Sequence, residues 1–131
     1  MAGRVLQYTN TERIIESGKT EQRMFIILEG EVEISLTDGK SRFAVATLKK
    51  GDFFGEISLF TNTPRSANAH AVGNVQLAYI DNLAQLKAFL LKNPSFAAKM
   101  VTILAQRLAK TDEILIGKIS ELNRLQITGE V

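Results

Sequence analysis

Between Ile14 and Ile80 the sequence is cut by turn signals at roughly eight- to twelve-residue intervals, and after Pro94 no further proline occurs. A chain in this order builds a sheet first and helices later, which is the α+β arrangement. Ile14–Ile15 followed by Glu16-Ser17-Gly18 mark a short strand and a turn. Met24–Leu28 is a continuous apolar run closed by Glu29-Gly30, the pattern of a buried strand. Glu31–Leu36 alternates, with Val32, Ile34 and Leu36 expected on the core face. Thr37-Asp38-Gly39-Lys40 carries Asp-Gly, a strong hairpin signal, and Arg42–Leu48 is the return strand. His70–Val72 and Val75–Ile80 flank a turn expected at Gly73-Asn74, with Val75, Leu77 and Tyr79 on one face. Residues 1–13, whose apolar points are Val5, Leu6 and Tyr8, read as an extended lead-in or a short frayed turn.

The expected fold is therefore one domain. It has an antiparallel β-roll, of the double-stranded jelly-roll kind, over about 14–80, a short helix over about 82–92, and a long C-terminal helix over about 95–125. Asp81 or Asn82 can cap the short helix. Asn93-Pro94 ends it, because proline disfavours helix in the residue before it. Within the long helix only Gly117 is a poor helix former. Val101, Leu104, Leu108, Thr111, Leu115, Lys118, Leu122 and Leu125 follow alternating steps of three and four, a heptad seam interrupted by Thr111 and Lys118. Met100, Ile103, Ile114 and Ile119 flank it. The seam points to a homodimer through this helix. The competing reading is a helix that packs one apolar face on its own domain.

Composition removes several function classes. The 131 residues contain no cysteine, so thiol catalysis, disulfides and thiolate metal sites are excluded. A single histidine, His70, cannot build a histidine-rich metal centre, and no cofactor or catalytic constellation can be assembled. The net charge of +2 is too small a bias to argue for nucleic acid. No apolar run reaches spanning length, and the N-terminus lacks an apolar signal core, so a cytoplasmic setting is the default expectation.

Residues 51–69, GDFFGEISLFTNTPRSANA, hold the chemistry. Gly55 permits close backbone approach. Ile57 and Leu59 are expected to anchor one helical turn, which leaves the amides around Gly55–Ser58 free for an anion. Arg65 offers a guanidinium fork for phosphate or carboxylate. A ligand with one phosphate and a hydroxyl-bearing sugar would use the amides, Arg65 and Glu56 together. A simpler alternative is that Glu56 and Arg65 pair only with each other.

FGEISLF followed by PRSANA resembles the phosphate-binding cassette of cyclic-nucleotide-binding domains, among them those of the catabolite activator proteins, of the regulatory subunits of cyclic-AMP-dependent kinase and of cyclic-nucleotide-gated channels. The resemblance runs from about Ile14 onward. It implies a binding function rather than turnover, with cyclic AMP expected over cyclic GMP as a regulatory ligand. The implied contacts are Gly55, Glu56, Ile57, Ser58, Arg65, Ser66 and Ala67, with Glu56 on the ribose 2′-hydroxyl and Arg65 on the phosphate. Ser66 leaves cyclic GMP open, because a hydroxyl there can reach the phosphate or a guanine amino group. Ile34 and Val45 match the positions that wall the base, although ordinary core is an equal account of both. Arg107–Glu113 resembles the matching helix of the catabolite activator proteins. That match puts Arg107 near the base and Thr111 at the adenine amino group, in a dimer partly from the partner subunit. A polar residue setting coiled-coil register is the other reason for Thr111.

The last six residues, 126–131, resemble the hinge of those transcription factors, yet no helix-turn-helix domain follows. The chain is thus expected to be a sensor domain, cut from a longer regulator or free-standing, whose bound ligand biases the C-terminal helices. The alternative is a degenerate roll that serves as a dimerisation or protein-docking module without nucleotide.

Overall fold

The computed structural model describes residues 5–37, 40–61 and 63–128, with side chains given through residue 124. Among these, the strands are β1 (Val5–Tyr8), β2 (Arg13–Ile15), β3 (Met24–Thr37), β4 (Arg42–Leu48), β5 (Phe53–Phe54) and β6 (Asn68–Ile80). The helices are α1 (Glu56–Thr61), α2 (Leu83–Lys92) and α3 (Pro94–Thr128). All strand pairs are antiparallel, in the order β1-β6-β3-β4, with β2 also on β6 and β5 also on β3. The expected α+β order, an antiparallel β-roll followed by a short and a long helix, is the order observed. The chain divides into two compact units, Met1–Phe89 and Leu90–Val131.

The core lies inside the roll of the first unit. Ile14, Ile15, Phe25, Ile27, Val32, Phe54, Ala69, Ala71, Val75 and Leu77 form one buried cluster, with Ile34 and Tyr79 packed at its edge. Phe25 and Phe54 stack with centroids 5.1 Å apart. Full burial of one such side chain contributes about 1.5–3 kcal/mol. The run Met24–Ile27 is buried at every position, as a continuous apolar strand requires.

Several local expectations need correction. Of the two readings of the N-terminal residues, the extended one holds over Val5–Tyr8 and the frayed turn does not, but the segment is more than a lead-in: it is a strand paired with Val75–Ala78 of β6. Its burial is weak, with Leu6 and Tyr8 half-buried and Val5 and Gln7 exposed, so its apolar signal is that of an edge. Glu29-Gly30 and Gly73-Asn74 do not turn the chain. Both lie inside continuous strands, where the β3–β6 register shifts between Ile27 and Glu31. Gly30 adopts φ 91° there, and a Cβ on it would stand 2.3 Å from the Asn74 carbonyl oxygen. The two turn-like sequences are therefore bulges that face one another. Leu36, expected inward, is exposed beside its cross-strand partner Phe43, beyond the irregularity between Ile34 and Ser35, while the adjacent Ser35 is buried. The Asp38-Gly39 turn lies outside the described residues, although Thr37 and Arg42 pair across it.

In the second unit α3 begins with Pro94 at its first position, where the missing N–H costs nothing, and Ala97 N–H donates to the Asn93 carbonyl. Val101, Leu108, Leu115 and Leu122, one heptad apart, are all exposed, while Leu104 is half-buried. The side chain of Leu125 lies outside the described residues. A Cβ on Gly117 would meet nothing within 4 Å. Gly117→Ala should therefore add about 0.5–1 kcal/mol to helix stability. The check is slowed amide exchange around residue 117, and an unchanged rate would contradict it.

Candidate ligand site

The site is built where β5 ends and α1 begins. Gly55 stands at φ 84°, a left-handed conformation that glycine adopts without strain. A Cβ there would come within 2.7 Å of the Arg23 carbonyl oxygen and 2.9 Å of Arg65 Nη1, so the position also has no room for a side chain. Helix α1 turns Glu56 and Leu59 inward and Ile57 and Phe60 outward, the i, i+3 spacing of one face and its opposite. Ile57 is 61% exposed and does not anchor the turn; Ser58 and Leu59 hold it instead.

Arg65 is only 6% exposed. Nη1 donates to the Gly55 carbonyl at 2.8 Å and Nη2 donates to the Arg23 carbonyl. Its main chain is clamped to the loop before β3. Arg65 N–H donates to the Lys19 carbonyl at 2.7 Å, and Gly18 N–H donates to the Arg65 carbonyl at 2.8 Å. Burial pushes the Arg65 pKa down, while the carboxylates of Glu21 and Glu56 hold it up. Its Nε–H is buried with no hydrogen-bond partner among the described residues. A buried donor left unmade costs about 1–3 kcal/mol, and more on a charged group. This guanidinium is therefore oriented by two carbonyls, with its Nε–H enclosed and lacking a partner among the described residues.

The structure brings Gly55, Glu56 and Arg65 together at one place in the first unit. Ser58 is buried, Ser66 is exposed and Ala67 is half-buried. Ile34 is half-buried, and its register partner on β4 is Ala46, not Val45. Val45 is the extra residue of a bulge and 49% exposed, so it is not ordinary core. Arg107 and Thr111 belong to the second unit, on α3. The Thr111 hydroxyl donates to the Arg107 carbonyl at 2.9 Å. A cleft of about 540 Å³ is lined by Arg13, Ile14, Ile15, Glu16, Lys19, Thr20, Glu21 and Arg65, so it shares only Arg65 with the residues expected from the sequence. His70, on β6, is half-buried beside Arg42. Burial first, then the Arg42 and Arg13 charges, keep its pKa below the ordinary histidine value.

Sequence reasoning missed Arg23. It contributes a carbonyl, which every residue has, so no side-chain pattern could reveal it. The docking of Gly18 and Lys19 on Arg65 has a faint signal, the glycine at φ 89° in the turn after β2.

No described helix is long and apolar enough to cross a membrane, and no cluster of potential metal ligands occurs among the described residues. Among curated proteins, the chain is 39% identical over 83 residues to a cAMP-dependent protein kinase type II regulatory subunit of Drosophila melanogaster, covering 63% of this chain and 21% of that protein. It is 28% identical over 108 residues to a CRP-like cAMP-activated global transcriptional regulator of Mycobacterium tuberculosis, covering 81% of this chain and 47% of that protein. It thus spans less than half the length of each. Among solved structures, the catabolite activator protein of Thermus thermophilus superposes with a TM-score of 0.73 at 28% identity, over 85% of this chain and 52% of that one. Residues 5–93 match the family model described as the cyclic nucleotide-binding domain. The matched span contains β1 through α2 and every cassette residue named above, and the chain belongs to the cyclic nucleotide-binding domain family.

Proposed function

We propose that this chain is a regulatory sensor that binds cyclic AMP in preference to cyclic GMP and passes the binding event to its C-terminal helices. The observation that carries the reading is the buried Arg65 guanidinium with its Nε–H unpartnered. A cyclic phosphodiester brings one negative charge and acceptor oxygens to that edge. Backbone amides around Gly55–Ser58 add donors, and Glu56, buried beside Arg65, accepts from the ribose 2′-hydroxyl. Ser66 and Ala67 flank the phosphate, Ile57 contributes its backbone, and Ile34 with Val45 walls the base.

Two features favour adenine. The two curated relatives described above are named for cyclic AMP. The Thr111 hydroxyl also has its proton committed to the Arg107 carbonyl, which leaves its oxygen as an acceptor. The adenine amino group is a donor, whereas guanine presents a carbonyl oxygen at the equivalent place. Binding rather than catalysis is the output, in a cytoplasmic setting. The exposed stripe of Val101, Leu108, Leu115 and Leu122 supports a homodimer through α3, the helix that carries Arg107 and Thr111. A ligand that favours one arrangement of the helices shifts the population toward it.

The test compares cyclic AMP with its 2′-deoxy analogue on the wild type and on Glu56→Gln. A hydrogen bond to a carboxylate contributes about 1.5–3 kcal/mol, so the deoxy analogue should bind about ten- to a hundredfold more weakly to the wild type. Glu56→Gln should shrink that gap. Equal binding of the two ligands by the wild type would remove Glu56 from the sugar.

A further inference from the structure

Arg23 is attached at both ends. Its carbonyl accepts from Nη2 of Arg65, and the space in front of that carbonyl is kept open by Gly55, whose absent Cβ would lie 2.7 Å away. Its own guanidinium reaches the far end of β6. Nε donates to Asp81 Oδ1 at 2.7 Å, and Cζ lies 4.2 Å from the centroid of the Tyr79 ring. Asp81 lies just before α2, next to its N-cap Asn82. Its N–H donates to Gln85 Oε1 at 2.9 Å, and Gln85 N–H donates to Asn82 Oδ1 at 2.9 Å, a reciprocal cap.

We propose that Arg23 is a positioning residue that couples occupancy of the Arg65 guanidinium to the capped start of α2 through Asp81. The inference rests on the nucleotide reading of Arg65 and names how that site reaches the helices. A guanidinium stacked on a ring and bonded to a carboxylate has little rotamer freedom, so the peptide that carries the Arg23 carbonyl is fixed from the side-chain end. Met24, the next residue, is fully buried and paired with Ile80, so the peptide is fixed from the strand end as well. With Gly55 packed against it, the carbonyl has no slack in which to absorb a shift of Arg65. An anion that draws Arg65 toward its Nε edge therefore acts on Arg23, and through it on Asp81. By linkage, loosening Asp81 must weaken the anion in return.

Arg23→Ala and Asp81→Asn, singly and together, separate this coupling from a structural role. An ion pair of this exposure with a stacked ring supports an effect of about three- to tenfold on cyclic AMP affinity. Each single variant should show it, and the double variant should be no weaker than the weaker single. In the wild type, cyclic AMP should slow amide exchange at Gln85 and Leu86, and both variants should lose that slowing. Without ligand, the Arg65 Nε–H resonance should move in Asp81→Asn. Wild-type binding with additive or absent effects of the variants, and with the slowing retained, would overturn the coupling alone. Failure of the wild type to bind cyclic AMP would overturn the reading of Arg65 and this inference with it.

Discussion

Arg65→Ala is expected to weaken cyclic AMP binding by about a hundredfold or more, since charge-assisted hydrogen bonds contribute about 1.5–3 kcal/mol each and 1.4 kcal/mol is a decade. The substitution removes the buried positive charge and the unpartnered Nε–H together. It also leaves the carbonyls of Gly55 and Arg23 without their donors, so some loss of stability should accompany it. Arg65→Lys separates charge from geometry. It keeps a cation but cannot serve two carbonyls and an anion from one planar fork, so its affinity should fall between wild type and alanine. Calorimetric titration on samples whose folding has been verified by thermal denaturation reads both effects. An alanine variant that is folded and binds as the wild type does would mean that the guanidinium serves only the loop.

Gly30→Ala is expected to be the most damaging single methyl group in the roll. The added Cβ would lie 2.3 Å from the Asn74 carbonyl oxygen and 3.0 Å from Val75 Cγ2, at φ 91°. The clash is with backbone, so it can be relieved only by separating β3 from β6, the pair with the longest shared register. Large single-site losses of about 4–5 kcal/mol come from mechanisms of this kind. Gly73 is an internal control. It has φ 72° but a Cβ there would meet nothing within 4 Å, so Gly73→Ala should cost only about 1–2 kcal/mol, the left-handed penalty alone. Urea denaturation compares the two. Equal midpoints would mean that the opposed bulges are not a tight fit.

These same glycines mark where the sequence misleads. Glu29-Gly30 and Gly73-Asn74 carry turn chemistry, and positive φ is indeed needed at both glycines, but the chain bulges instead of reversing. A local pattern cannot distinguish the two, because the distinction depends on which strand lies opposite. The strand Val5–Tyr8 is hidden for a related reason, since an edge strand buries too little for its alternation to register. Fold class was legible because the order of turns and the long proline-free stretch are properties of whole segments. Within the site, the two halves around Gly55 and Arg65 could be read because each depends on its own residue type. The carbonyl of Arg23 and the bulge at Val45 could not, since neither depends on a side chain's identity.

The most direct test of the central claim is a calorimetric titration of the wild-type chain with cyclic AMP, with 5′-AMP as the comparison. Micromolar or tighter binding of cyclic AMP and no measurable binding of 5′-AMP are expected, because a site built for a singly charged phosphodiester beside a buried Arg65 and Glu56 disfavours a doubly charged terminal phosphate. Absence of binding by either nucleotide would contradict it, and would leave the roll as a docking or dimerisation module.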